Sequence, residues 1–227
     1  ADRRSIEGRN YLELVRSARA SGHDLVAIGA HGLGRVERSV LGSVCERVAR
    51  LADCDLLVAR EDRPIGDGPL LVALDGSDQA FAAMGVALQL ARLFDNEVMA
   101  VAAYDPFFHG GAFQSIATVL SPEASRLFRF REQERLHDEI IDDGLSTIYR
   151  SHLDQAERMA ASAGVQLLCE VIEGKPFDAV AGYALKLHPS LLLAGRTGIH
   201  HCDGVTLGST SENLLRCVQC NVMIVSR

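Results

Sequence analysis

The chain has 227 residues, of which 48% are hydrophobic, and carries a formal net charge of −7. That length suits one large domain or two small ones with real cores. An acidic balance with no compensating Lys/Arg block argues against general nucleic-acid binding. No apolar run approaches the ~18–20 residues of a membrane helix, and the opening "ADRRSIEGRN" is polar where a secretory leader would be apolar. The six cysteines are scattered through apolar or helical contexts, the usage of reduced thiols, so the expected compartment is the cytoplasm.

In chain order, Asn10 to Ser21 is predicted helical, with Leu12, Val15 and Ala18 spaced three apart. "DLVAIGA" (24–30) is a short continuous apolar run, which predicts a strand buried on both faces. Residues 40–52 place Val40, Val44, Val48 and Leu51 on one helical face. "CDLLVAR" (54–60) reads as another buried strand. "EDRPIGDGP" mixes charge, Pro and Gly without a period, so residues 62–69 are expected to link a unit at 1–61 to a unit at 70–227.

The second unit opens with the strand "LLVAL", ending at Asp75-Gly76-Ser77, followed by the helix "AFAAMGVALQLARLF" and the strand "EVMAVAAYD". Residues 107–150 form a helical insertion. Within it, Ser121-Pro122-Glu123 reads as an N-cap, a Pro at the first helical position and an early acid. Helix is expected to run from there to about Ala163, broken near Asp142-Asp143-Gly144. "VQLLCEVIEG" is a third strand, "KPFDAVAGYALKL" a helix, "SLLLAG" a fourth strand, 208–218 a helix and "NVMIVSR" a fifth strand. Alternating strands and helices imply parallel pairing through right-handed crossovers, hence an open α/β sheet with helices on both faces.

The chain is also internally duplicated. "LVAIGAHGLGRVERSVLGS" (25–43) contains Gly29, Gly32 and Gly42-Ser43, and "LLLAGRTGIHHCDGVTLGS" (191–209) contains Gly195, Gly198 and Gly208-Ser209. The offset, 195 − 29 = 166, holds at all of these positions and carries Glu46 onto Glu212, Arg50 onto Arg216 and Cys54 onto Cys220. Residues 24–60 and 190–226 share nine identities, against roughly two or three from composition. Ile6 already aligns with Ile172, so the first unit is expected to start part-way through a domain, without counterparts to about residues 67–170.

In an open α/β sheet, ligands sit beyond the carboxyl ends of the strands. Gly195 and Gly198 bracket the turn leaving one such end, and Gly208-Ser209 opens the next helix, where bare N–H groups and the helix dipole attract phosphate. Ser209 adds a hydroxyl. Asp75 ends another strand at the same edge, where a carboxylate can accept a ribose hydroxyl or help hold a divalent cation. The bland alternative is a set of ordinary turns, since a strand-end Gly and a Gly-Ser helix start also occur without ligands.

Gly-x₂-Gly-x₉-Gly-Ser after a buried strand, with Asp-Gly-Ser at the end of an earlier one, resembles the universal stress protein family in its tandem form. The resemblance implies a Rossmann-like five-strand domain, pairing of units or chains through their last strands, and ATP as ligand in a subset, with Mg²⁺ as a candidate companion. On that resemblance Ala73, Asp75 and Ala103 fall at the nucleoside end, and Gly195, Gly198, Gly208, Ser209 and Thr210 form the phosphate loop. Gly29, Gly32, Gly42 and Ser43 are its vestige in the first unit, which shows no matching strand-one Asp. "IHHCDGVTL" departs from the family pattern, with His200, His201 and Asp203 crowding the loop.

Two other classes stay open. One is a protein-interaction module with a degenerate pocket, the 121–150 helix being its partner surface. The other is a zinc or redox sensor using His200, His201, Cys202, Cys217 and Cys220; against it, Cys220 repeats Cys54 at a helix-to-strand junction, as a buried small residue would. No Gly-x-Ser-x-Gly or Walker motif supports catalysis beyond slow ATP hydrolysis.

Overall fold

The computed structural model describes residues 3–31, 41–105, 130–199 and 206–226. Among them are seven strands, β1 (Leu25–Gly29), β2 (Asp55–Ala59), β3 (Leu70–Leu74), β4 (Val98–Tyr104), β5 (Leu167–Glu173), β6 (Leu191–Gly195) and β7 (Asn221–Val225). The helices are α1 (Asn10–Ala20), α2 (Ser43–Leu51), α3 (Asp78–Phe94), α4 (Phe130–Ala163), α5 (Pro176–Leu187) and α6 (Ser209–Cys217). The strands form one sheet in the order β1-β2-β7-β6-β3-β4-β5. Every neighbouring pair is parallel except β2 and β7, which run antiparallel. This is the expected Rossmann-like α/β sheet.

Side chains that alternate along each strand separate two cores. Leu192, Ala194, Val222 and Ile224 face α1, α2, α5 and α6, while Leu191, Leu193, Met223 and Val225 face α3 and α4. Leu70, Leu71 and Leu191 to Leu193 are all fully buried, each stabilising the fold by about 1.5–3 kcal/mol relative to exposure. The sequence offset recurs in the elements: β1, α2 and β2 shifted by 166 residues coincide end for end with β6, α6 and β7.

β2 and β7 meet with Leu56 opposite Ile224, Leu57 opposite Met223 and Val58 opposite Val222. Flanking this seam, Asp55 Oδ1 accepts from Ser226 N (2.8 Å), and its repeat counterpart Asn221 accepts through Oδ1 from Arg60 N (2.8 Å). Glu46 meets Arg216 (2.6 Å) and Glu212 meets Arg50 (2.5 Å), a reciprocal pair between α2 and α6. The segment before β3 is pinned to the second repeat, where Arg63 Nη1 donates to His188 O and Asn221 Nδ2 donates to Arg63 O.

Two expectations are corrected. β1 is not buried on both faces. It is one of the two edge strands, its Val26 and Ile28 pack on one core, and Leu25, Ala27 and Gly29 are exposed. The reason is that the core on the α3 side takes in β6 and β7 but no residue of β1. Nor does the helix break near Gly144: α4 runs unbroken through it for 34 residues, anchored by Leu153, Ala156 and Ala160, which are buried against the sheet. Ser121-Pro122-Glu123 lies outside the described residues. Among the described residues no helix is long and apolar enough to cross a membrane.

Candidate functional site

Two turns meet at the carboxyl edge of the sheet. The first follows β3. Asp75 Oδ1 accepts from the backbone N (3.0 Å) and hydroxyl (2.6 Å) of Ser77, which itself caps α3 by accepting from Ala80 N (3.2 Å). This short loop fixes the carboxylate and turns its other oxygen towards the second turn, after β6. There Asp75 Oδ2 accepts from Ile199 N at 3.0 Å. Gln79, in the first turn of α3, accepts through Oε1 from Thr197 N (2.7 Å) and Thr197 Oγ1 (3.0 Å). The two turns are therefore held together by side chains of the first.

The glycines permit this approach. A Cβ on Gly195 would stand 2.9 Å from Ala80 N, so β6 could not end so close to the start of α3 with a larger residue. A Cβ on Gly198 would clash with Asp75 Oδ2. Behind them, Gly208 N donates to Arg196 O (2.8 Å) and Ser211 Oγ to Gly195 O (2.6 Å), which folds the start of α6 back onto the strand end. Gly208 is the N-cap of α6 and offers no side-chain cap, so the first N–H groups and the positive end of the helix dipole remain available to an anion.

A cavity of about 350 Å³ opens between these turns. Of the residues expected at the site, Ala73 and Ala103 line it from β3 and β4, and Asp75 from the turn after β3. Gly195, Gly198, Gly208, Ser209 and Thr210 line it from the β6–α6 side. Sequence reasoning did not place Ser77, Thr197, Tyr149, Pro176 or Val180 there. Ser77 and Thr197 were readable as polar neighbours of Asp75 and Gly198. Tyr149 reaches the cavity from α4, across a chain distance that no spacing reports. Among the described residues the lining contains no Lys or Arg, and Asp75 is its one carboxylate.

The first repeat keeps the backbone of the cradle. Gly42 N donates to Ala30 O (2.7 Å), the same bond as Gly208 to Arg196. Gly29 and Ser43 hold the positions of Gly195 and Ser209, while Leu33, the counterpart of Ile199, lies outside the described residues. Gly32, His200, His201, Cys202 and Asp203 lie outside the described residues. Cys217 and Cys220 line a separate cavity with Glu61, Arg63 and His188. Among the described residues no group of three His, Cys, Asp or Glu is arranged to hold a metal ion.

Arg196 ties the cradle to the first repeat. Its guanidinium is buried, donating to Ser226 Oγ (2.7 Å) and to the carbonyls of Ala49 (2.7 Å) and Cys54 (3.3 Å). Those carbonyls belong to the last turn of α2 and the approach to β2, where the helix dipole favours a cation.

Comparison with known proteins agrees with this architecture. The chain is 27% identical over 160 residues to Universal stress protein MJ0531 of Methanocaldococcus jannaschii, covering 70% of this chain and 81% of that protein. It is 27% identical over 156 residues to Universal stress protein YxiE of Bacillus subtilis, covering 69% of this chain and 97% of the relative. The crystal structure of a universal stress protein from Archaeoglobus fulgidus superposes with a TM-score of 0.60 at 18% identity, over 96% of this chain and 66% of that one. The family model described as the universal stress protein family matches twice, over residues 2–60 and 68–226, the second match spanning the whole Asp75 cradle and the first its repeat. The chain belongs to the universal stress protein family.

Proposed function

We propose that the cavity beside Asp75 binds ATP or a closely related adenine nucleotide, in a stress-response protein of the cytoplasm that does not turn its ligand over efficiently. The observation that carries this reading is the bond from Ile199 N to Asp75 Oδ2, which sets a carboxylate beside the uncapped start of α6. Phosphate oxygens fit the amides of Gly208 to Thr210, and Asp75 is available to a ribose hydroxyl or to Mg²⁺. A carboxylate that already accepts three bonds is a poor base for activating water, and the cavity's described lining supplies no arginine to a transferring phosphoryl group. Residues 1–61 are read as the closing part of a first unit, 62–69 as the linker and 70–227 as the second unit, in which 107–150 is a helical insertion.

The test is mass spectrometry of small molecules released when natively purified protein is denatured, with calorimetry against ATP. The expected result is an adenine nucleotide at near-stoichiometric yield, or ATP binding by the emptied protein. Gly208→Glu should abolish it, because the new side chain starts 3.2 Å from Arg196 O and sends a carboxylate into the cradle. Absence of binding by the unmodified chain would leave the interaction-module reading in its place.

A further inference from the structure

The cavity is amphipathic, and its apolar end is not explained by phosphate chemistry. Tyr149 contributes an aromatic wall from α4, whereas Val180 and Pro176 approach from α5. The two helices lie on opposite faces of the sheet, with Val180 in one core and Tyr149 packed against the other. A flat group seated beyond the ends of β3 and β4 would rest on Ala73 and Ala103 with Tyr149 on one side and Val180 on the other.

The Tyr149 ring is held before any ligand arrives. It stacks on Tyr104, with centroids 5.8 Å apart and planes inclined by 26°, and Tyr104 is in turn fixed through its hydroxyl, 3.1 Å from Glu173 Oε1. The His152 imidazole also meets it, at 5.8 Å between centroids and 86° between planes. His152 lies so close over Gly76 that a Cβ there would overlap the imidazole. Three rings thus form a packed cluster running from the end of β4 to the Asp75 turn. A preorganised aromatic face costs little entropy on binding and is indifferent to which base it meets.

Resting on the nucleotide reading above, we propose that Tyr149 recognises the nucleoside: its ring packs against the base of the bound ligand and makes the cavity select a nucleoside phosphate over free phosphate or polyphosphate. The glycine cradle supplies the anion's share of the affinity, and Tyr149 supplies the share that depends on the base. Because the contact is with a π-face, the ring is expected to favour purines through stacking area and not through a hydrogen-bond code.

The protein contains no Trp and four Tyr, so tyrosine emission is itself a reporter. Wild type, Tyr149→Phe and Tyr149→Ala are titrated with ATP, adenosine and inorganic tripolyphosphate, by calorimetry and by fluorescence. The expected result is that ATP and adenosine bind about tenfold or more weakly to Tyr149→Ala. Tyr149→Phe should bind ATP like wild type but lose the ATP-induced quenching, while tripolyphosphate affinity is the same in all three. Circular dichroism checks folding, and Tyr149→Leu replaces the Ala variant if that does not fold. If wild type binds ATP and Tyr149→Ala binds it equally well, the assignment of Tyr149 is overturned and the nucleotide reading stands. Equal wild-type affinity for ATP and tripolyphosphate overturns selection of the nucleoside and leaves the anion cradle. If wild type binds neither, both readings fall.

Discussion

Leu57 faces Met223 across the β2–β7 seam, and the two occupy equivalent positions of the duplicated segment, 166 residues apart. A local two-fold axis therefore passes between them. Asp55 and Asn221 obey it through their bonds to Ser226 and Arg60. So do Glu46 and Glu212, each held by the other repeat's arginine. Arg196 breaks it, because its counterpart is Ala30.

The symmetric charges are expected to matter little. All four side chains are between 23% and 46% exposed, so Glu46→Gln and Glu212→Gln should each cost less than about 1 kcal/mol. The cost should fade in 1 M salt, where screening acts within about 3 Å. Urea denaturation at low and high salt measures it. A large, salt-independent loss would show that these pairs work as a desolvated network.

Arg196 should behave oppositely. Arg196→Ala strands the Ala49 and Cys54 carbonyls and the Ser226 hydroxyl in a buried setting, with an expected loss of about 3 kcal/mol or more in urea denaturation. Arg196→Met keeps much of the stem and should lose less. Equal stability of wild type and the Ala variant would contradict the clamp.

Gly198→Ala tests the bridge between the turns. The added methyl displaces Asp75 Oδ2 from Ile199 N, at an expected cost of about 1–3 kcal/mol. On the nucleotide reading ATP affinity falls as well. Calorimetry and urea denaturation, run on the same variant, separate the two effects.

Alkaline pH should destabilise the fold through its thiols. Burial pushes Cys45 and Cys220 up to about 11 and Cys169 up to about 12, from an ordinary value of 9.0. The unfolded chain therefore releases these protons first. Stability is intact below about pH 9 and falls as pH rises towards 11 and beyond, since the native state then holds more protons than the unfolded one. The urea midpoint should drop over that range, and Cys45→Ala with Cys220→Ala should flatten the drop. At pH 8 the exposed Cys217 should react with an alkylating reagent well before Cys45, Cys54 or Cys220, which are buried.

Much of this was legible because the duplication fixes its own register. The spacing from Gly195 to Ser209 defined a strand end and a helix start, and the rule that ligands collect at carboxyl ends brought Asp75 to the same edge. β1 misled because Leu25 and Ala27 have the same apolar character as Leu191 and Leu193; composition cannot show that the core on the α3 side takes in one pair and not the other. Gly144 suggested a break, but a helix interior tolerates a glycine at about 1 kcal/mol when later turns are packed. The contacts of Gln79, Tyr149 and Arg196 could not be read from the sequence because each acts through the reach of its side chain across elements, which periodicity does not encode.

The antiparallel seam has one more consequence. Where two separate subunits meet edge to edge, their association follows mass action and fails on dilution. Here β2 and β7 belong to one polypeptide, so each meets the other at an effective concentration on the order of millimolar, whatever the bulk concentration. The edge of β7 is already taken, and the pairing persists in a cell that holds only a few copies of the molecule.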